Sequence, residues 1–259
     1  MLPKQYGKLP ADLQNKAVKP YFDALDKKRK YLTVKRAFDI VVSVFVLTLL
    51  ALPMLLTALA VKLSSKGPVF YRQTRVGALG REFKIIKFRT MVVNADRMGA
   101  RITIGDDAER VTGIGRILRK LKVDELPQFI NVIKGDMTIV GTRPEVPEYV
   151  ARYTDEMKAT LLLRPGIVNK ASIMFSNESA ILGRVHSPER YYIHNILPEK
   201  MRYNLDYILD SSFLLDVGTM FSTVGCIFGL VETKELPEPA EKYLAPAYVA
   251  QQPQPARAS

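Results

Sequence analysis

A helix-rich α+β fold, in which a proline-broken membrane hairpin precedes a small domain with a β-hairpin and amphipathic surface helices, is predicted by three observations. Ile40 to Val61 is a run of 22 residues without a charge. Val69 to Thr90 reads as two strands about a turn at Gly77-Ala-Leu-Gly80. Two further stretches, 113–121 and 126–134, place apolar residues at helical intervals.

The chain has 259 residues, 47% of them hydrophobic, enough for one sizeable core. Its formal net charge of +12 points to anionic partners: nucleic acid, lipid head groups or phosphorylated substrates. No nucleic-acid recognition motif appears, and aromatic residues do not interleave the basic runs, so nucleic acid is not expected. One cysteine, Cys226, excludes an internal disulfide and a Cys-based zinc site, and His186 and His194 are too few for a His-rich one. They read as surface or interface residues. Any metal would be a hard cation on carboxylate oxygens, which points to Mg²⁺.

Residues 1–34 form a polar extension without the pattern of a secretory signal. Residues 35–66 are the membrane segment, and as a helix its uncharged run would be roughly 33 Å long, enough to cross a bilayer. Pro53 interrupts it, removing one intrahelical bond and clashing with the preceding turn. Lys35 and Arg36 flank one end, Lys62 and Lys66 the other. Basic residues on both sides favour a hairpin that enters one leaflet and returns, with a kinked single-pass span as the alternative.

Residues 67–231 make the main domain. In its second strand Phe83, Ile85, Lys87 and Arg89 alternate onto one face, and Arg75 closes the first strand. After a polar linker that includes Asp106, Asp107 and Glu109, an apolar stripe of Ile114, Ile117, Leu118 and Leu121 leaves Arg116, Arg119 and Lys120 on other faces. Arg143 and Arg164 each precede a proline, which restricts the backbone to extended conformations and pre-orients a bidentate phosphate ligand. Residues 213–231 are apolar but contain Asp216 and three glycines, so a core or membrane-surface helix is expected rather than a second span. Residues 232–259, rich in Pro, Ala and Gln, read as a disordered tail.

The chemistry centres on Asp124 and Glu125, adjacent carboxylates preceded by Arg116, Arg119, Lys120 and Lys122. The run that follows reads as a helix with Pro127 in its first turn and Asp124 at or near the N-cap, where unpaired N–H groups favour an ionised carboxylate and an incoming phosphate. In the competing reading the two acids only cap a helix, and the protein is a non-catalytic membrane-surface scaffold or an anionic-lipid-binding protein.

Taken in order, the motifs resemble the monotopic phosphoglycosyltransferases, bacterial sugar transferases that start glycan assembly on a polyprenol phosphate. They are Lys35-Arg-Ala-Phe-Asp39 before the proline-broken run, Gly67-Pro-Val-Phe-Tyr-Arg-Gln-Thr-Arg-Val-Gly77, Phe83 to Met91, Val123-Asp-Glu-Leu-Pro-Gln128, Asn131 to Met137 and Arg164-Pro-Gly-Ile167. The likeness covers roughly residues 33 to 230. It implies a re-entrant helix, a catalytic site at the cytoplasmic face of the bacterial inner membrane, and dependence on Mg²⁺. It also implies transfer of a sugar phosphate from a UDP-sugar to a polyprenol phosphate, undecaprenyl phosphate being the expected acceptor, with release of UMP. By this likeness Asp124 is the nucleophile and Glu125 the metal-associated acid, both near Mg²⁺. The family's phosphate-binding and structuring cations fall on Arg75, Lys87, Arg89, Arg119 and Arg143, while Arg164 and Pro53 keep the roles read from the residues above, substrate phosphate binding and the break in the membrane helix. A homodimer is left open. The chain departs from the family pattern at Thr142, where a proline is usual, and at Val168-Asn-Lys-Ala171 after the Arg164 motif.

Overall fold

In the computed structural model residues 2–95, 98 and 109–231 are described; the expected tail and the linker acids Asp106 and Asp107 lie outside them. The chain is helix-rich α+β, with two small two-stranded sheets. After α1 (Lys19–Asp26), helices α2 (Arg29–Leu49) and α3 (Ala51–Ser64) are bent 64° from one another at Leu50. Pro53 lies in the first turn of α3, and its missing N–H is the one that would have bonded the Leu49 carbonyl. The bend therefore falls about one turn before the proline. Among the described residues no single helix is long and apolar enough to cross a membrane, whereas the bent pair meets that test jointly. Its outer surface is apolar, with Val41, Phe45, Leu49, Leu52, Leu55 and Leu59 all exposed.

Strands β1 (Phe70–Val76) and β2 (Glu82–Phe88) pair antiparallel, Phe70 opposite Phe88 and Val76 opposite Glu82, as expected for a hairpin. The turn between them takes left-handed backbone at Leu79 (φ 58°) and Gly80 (φ 75°). Alternation divides β2: Phe83 and Ile85 pack against Val132, Met137 and Ile139, while Phe88 packs with Val61 and Leu118 between α3 and α4 (Gly113–Lys120). Thr112 caps α4, its hydroxyl accepting from the Gly115 N–H at 3.0 Å. The apolar stripe predicted for α4 is only half interior, since Ile117 and Leu121 are exposed.

A 3₁₀ turn, Val123–Glu125, precedes α5 (Gln128–Lys134), and Gly135 ends α5 in left-handed backbone (φ 93°). Strand β3 (Thr138–Val140) pairs parallel with β4 (Gly166–Val168). The close approach of the two strands explains their glycines, because a Cβ on Gly166 would lie 2.2 Å from the Gly141 nitrogen. Short helices α6 (Pro147–Val150), α7 (Lys170–Met174), α8 (Glu178–Leu182) and α9 (Pro188–Tyr191) then lead through a π-helical turn, Tyr192–Ile196, into α10 (Leu197–Asp210) and α11 (Phe213–Ile227).

The largest core joins Leu9, Leu13, Val18, Phe22 and Leu25 to Leu162, Ile196, Met201 and Ile208. The segment read as a polar extension thus supplies apolar residues to the main core. Further along, α2 is fastened by buried polar bonds. Asp39 accepts from the Thr138 hydroxyl and the Ile139 N–H, and Lys35 pairs with Asp216 of α11 at 2.8 Å. Tyr31 and Tyr207 donate to the two oxygens of Asp216 at 2.7 Å each. Lys35, Asp39 and Asp216 are thus paired at the inward face of α2, while Val41, Val44, Phe45 and Leu49 are exposed on its outer face.

Candidate active site

The carboxylates predicted as catalytic open onto a cavity of about 980 Å³. It is bounded by β1, β2, α4, the 3₁₀ turn and the segments around Arg143, Ser172 and Tyr192. Lys122 enters the turn in left-handed backbone (φ 56°), which reverses the chain after α4 and turns the next residues inward. Asp124 is consequently not the cap of α5. It sits inside a separate turn, and Pro127 stands immediately before α5 rather than in its first turn. The helix-terminus argument for its ionisation does not hold in the folded chain. What acts on Asp124 is burial, which raises its pKa, opposed by Lys87, Lys122 and Arg119 and reinforced by Glu125. Asp124 is 7% exposed, and its Oδ1 is buried without a hydrogen-bond partner.

Glu125 behaves oppositely. Burial would raise its pKa, but Lys87, Lys122 and Arg143 outweigh burial and hold it at about 2. Lys87 Nζ lies 2.7 Å from Glu125 Oε1. The strand alternation that buries Phe83 and Ile85 also delivers Lys87 to this acid.

Arg75, Lys87, Arg89, Arg119 and Arg143, predicted from separated stretches, all line the same cavity. Arg75 Nη1 donates to the Pro144 carbonyl at 3.0 Å and lies 3.7 Å from Glu145; burial lowers its pKa, and Glu145 opposes this. Arg119 Nε donates to the Thr90 hydroxyl at 2.9 Å. Arg143 donates to the Ser172 hydroxyl at 2.5 Å and is kept protonated by Glu145 and Glu178 against burial. Arg89, 5% exposed, is tied to the end of α3 at the edge of the cavity. Its Nη2 donates to the carbonyls of Val61 and Ser65 at the end of α3, and its Nε and Nη1 are buried without partners.

Arg164 is outside the cavity lining. Its Nε donates to the Gly135 carbonyl at 2.7 Å, beside Arg36, which donates to Val132 and Ile133. Both cations bind carbonyls at the C-terminus of α5, where the helix dipole favours positive charge. Arg164 therefore orders the helix behind the acidic turn. Pro53 is likewise absent from the cavity and belongs to the bend.

Several wall residues carried no local signal. Glu145 is 4% exposed, accepts from the Tyr192 hydroxyl at 2.9 Å and lies between Arg75 and Arg143. Lys200, 2% exposed, pairs with Glu178 and lies 4.9 Å from the centre of the Tyr192 ring. In the sequence Glu145 is marked only by following the Arg143-Pro144 pair directly. At the departure from the family pattern, Asn169 caps α7 by accepting from the Ser172 N–H at 2.7 Å, and this sets Ser172 against Arg143.

Among the described residues no group of three His, Cys, Asp or Glu side chains could hold a metal ion. Two adjacent carboxylates, one with an uncommitted buried oxygen and one held ionised, nevertheless fit Mg²⁺, which takes one or two protein carboxylates and fills its octahedron with phosphates and waters.

Comparison with known proteins gives the family. The bacterial sugar transferase family matches residues 30–229. Over 200 residues the chain is 37% identical to a UDP-N-acetylgalactosamine-undecaprenyl-phosphate N-acetylgalactosaminephosphotransferase of Aeromonas hydrophila, covering 76% of this chain and 44% of that protein. It is 37% identical to a UDP-glucose:undecaprenyl-phosphate glucose-1-phosphate transferase of Escherichia coli K12, covering 74% and 39%. It is also 32% identical to the exopolysaccharide production protein ExoY of Sinorhizobium fredii, covering 74% and 84%. The chain thus spans less than half the length of the first two relatives. The matched region contains all but the first residue of the bent helix pair and every cavity residue described above, and the chain belongs to the bacterial sugar transferase family.

Proposed function

We propose that the protein transfers a sugar 1-phosphate from a UDP-sugar to a polyprenol phosphate, undecaprenyl phosphate in particular, and releases UMP by way of an aspartyl phosphosugar. The observation that carries this reading is the Asp124 carboxylate, buried in a cation-lined cavity with Oδ1 uncommitted, beside a Glu125 held ionised by Lys87. A buried carboxylate without hydrogen-bond donors is a stronger nucleophile than a solvated one.

In the first step an Asp124 oxygen attacks the phosphorus that bears the sugar. The bond to the bridging oxygen of UMP breaks, and UMP leaves with that electron pair. In the second step a phosphate oxygen of the acceptor attacks the same phosphorus, and the Asp124–phosphorus bond breaks to return the carboxylate. Arg119, Lys122 and Arg143 offset the charge carried by the phosphates in both steps. Asp124 and Glu125 are the residues that would hold Mg²⁺, which supplies charge neutralisation at the diphosphate.

The bent pair α2–α3 enters the membrane from the cytoplasmic face of the bacterial inner membrane and returns to it. The exposed apolar residues of α2, α3 and α11 support this placement, and so do the basic residues at both ends of the pair. The reading is tested by mixing enzyme with labelled UDP-sugar and Mg²⁺ in the absence of acceptor. Release of about one UMP per site with sugar label retained on the protein is expected. Continuous UMP release would point to hydrolysis, and full turnover with acceptor but without labelled protein would establish direct transfer.

A further inference from the structure

Two arginines flank the buried carboxylate of Glu145, and the structure uses them differently. Arg75 is committed to the cavity wall. Its Nε and Nη2 donate to the Gln73 side-chain oxygen at 3.1 and 2.7 Å, and its Nη1 donates to the Pro144 carbonyl at 3.0 Å. Arg143 is held far more loosely. Its Nη1 donates to the Ser172 hydroxyl, its Nε stands 3.9 Å from Glu145 Oε1, and 38% of its side chain is exposed against 18% for Arg75.

An arginine and a carboxylate left to themselves close to about 2.7–2.9 Å. Arg143 is drawn that way, because Glu145, Glu178 and Glu125 all attract it. Two contacts oppose the closure. The Tyr192 hydroxyl donates at 2.9 Å to Glu145 Oε1, the same oxygen that Arg143 approaches, while Oε2 lies 3.7 Å from Arg75. Ser172 holds Nη1, and Ser172 is itself fixed in the first turn of α7, where its N–H donates to Asn169 Oδ1 at 2.7 Å.

We infer that Ser172 and Tyr192 are positioning residues that keep Arg143 from closing on Glu145, and so leave its guanidinium to the diphosphate of the donor. This rests on the reaction proposed above, in which Arg143 offsets phosphate charge. Each residue acts through Arg143 and not on the reacting phosphorus. A guanidinium with only one close partner gains most from an arriving phosphate, whereas one already closed on a carboxylate would have to break that pair first. Arg75, with its donors spent on Gln73 and Pro144, fixes the segment that carries Arg143 and Glu145.

The test measures the affinity of the full chain in lipid nanodiscs for UDP, by calorimetry in the presence of Mg²⁺. Ser172→Ala and Tyr192→Phe should each weaken binding about fivefold, while Ser172→Thr, which keeps the hydroxyl, should bind as wild type does. Adding Glu145→Gln to Ser172→Ala should recover most of the loss, because the group that competes for Arg143 no longer carries charge. In an Arg143→Ala background Ser172→Ala should add nothing. A role for Ser172 in the fold alone gives the opposite pair of results, no recovery with Glu145→Gln and the same loss without Arg143, and either one overturns the inference. Wild-type affinity in both Ser172→Ala and Tyr192→Phe overturns it as well. The readout is separate from turnover: wild type that binds UDP but releases UMP from no UDP-sugar would count against the reaction alone, and wild type that does not bind UDP would overturn both.

Discussion

Lys87 of β2 lies 2.7 Å from Glu125 of the 3₁₀ turn, and this ion pair links the hairpin to the acidic pair. The same ammonium is the strongest opponent of burial at Asp124. Lys87→Met should therefore raise the pKa of both acids, Glu125 upward from about 2 and Asp124 further above the ordinary carboxylate value. In the proposed reaction ionised Asp124 is the active form, so the acidic limb of the kcat/KM profile should move to higher pH. The loss relative to wild type should be larger at pH 6 than at pH 8. A uniform loss across that range would assign Lys87 to phosphate binding alone.

Asp124→Asn should retain the fold and abolish UMP release and protein labelling, since an amide cannot form the phosphosugar ester. Its stability carries a further signature. The folded-state pKa of Asp124 is raised, so its contribution is most favourable when protonated and is lost as pH rises from the unfolded value through the folded one. Asparagine does not ionise. The melting temperature of the variant should exceed that of wild type more at pH 7 than at pH 4, and the reverse ordering would contradict a buried, destabilised carboxylate.

Arg164→Ala removes the Nε bond to the Gly135 carbonyl at the end of α5. Because Arg164 is half-buried, a stability loss of about 1 kcal/mol is expected, discounted for solvent screening. Donor KM should be unchanged. A several-fold rise in KM with unaltered melting temperature would return Arg164 to the phosphate-binding set suggested by the motif.

The two ends of the bent pair should face the same side of the membrane. Lys30→Cys and Lys66→Cys, both exposed positions, report on this in a Cys226→Ser background. In sealed cells both should be protected from an impermeant maleimide and both should react after permeabilisation. Labelling of one alone from outside would establish a spanning helix. Replacing Pro53 by Ala restores the donor for the Leu49 carbonyl, and should increase the fraction of molecules in which Lys66 is reached from outside.

Local pattern by itself determined the bent apolar segment, the β-hairpin and the acidic pair among cations. Each depends on residues a few positions apart: a proline inside an uncharged run, side-chain alternation and adjacent carboxylates. The parallel approach of the Arg143 and Arg164 segments came only from the structure. Motif order, rather than periodicity, carried the proposal that Asp124 is the nucleophile. The tertiary structure decided what depends on long-range contacts. It placed the N-terminal apolar residues in the core, and it consumed Lys35, Asp39 and Asp216 in one buried network. It sent Arg164 to a helix end while bringing Arg75, Lys87, Arg119 and Arg143 to one cavity. The ionisation of Asp124 shows why the two levels differ. Its neighbours in the chain include Lys122 and Arg119, which favour the charged form, yet burial by residues distant in sequence has the larger effect and reverses the sign.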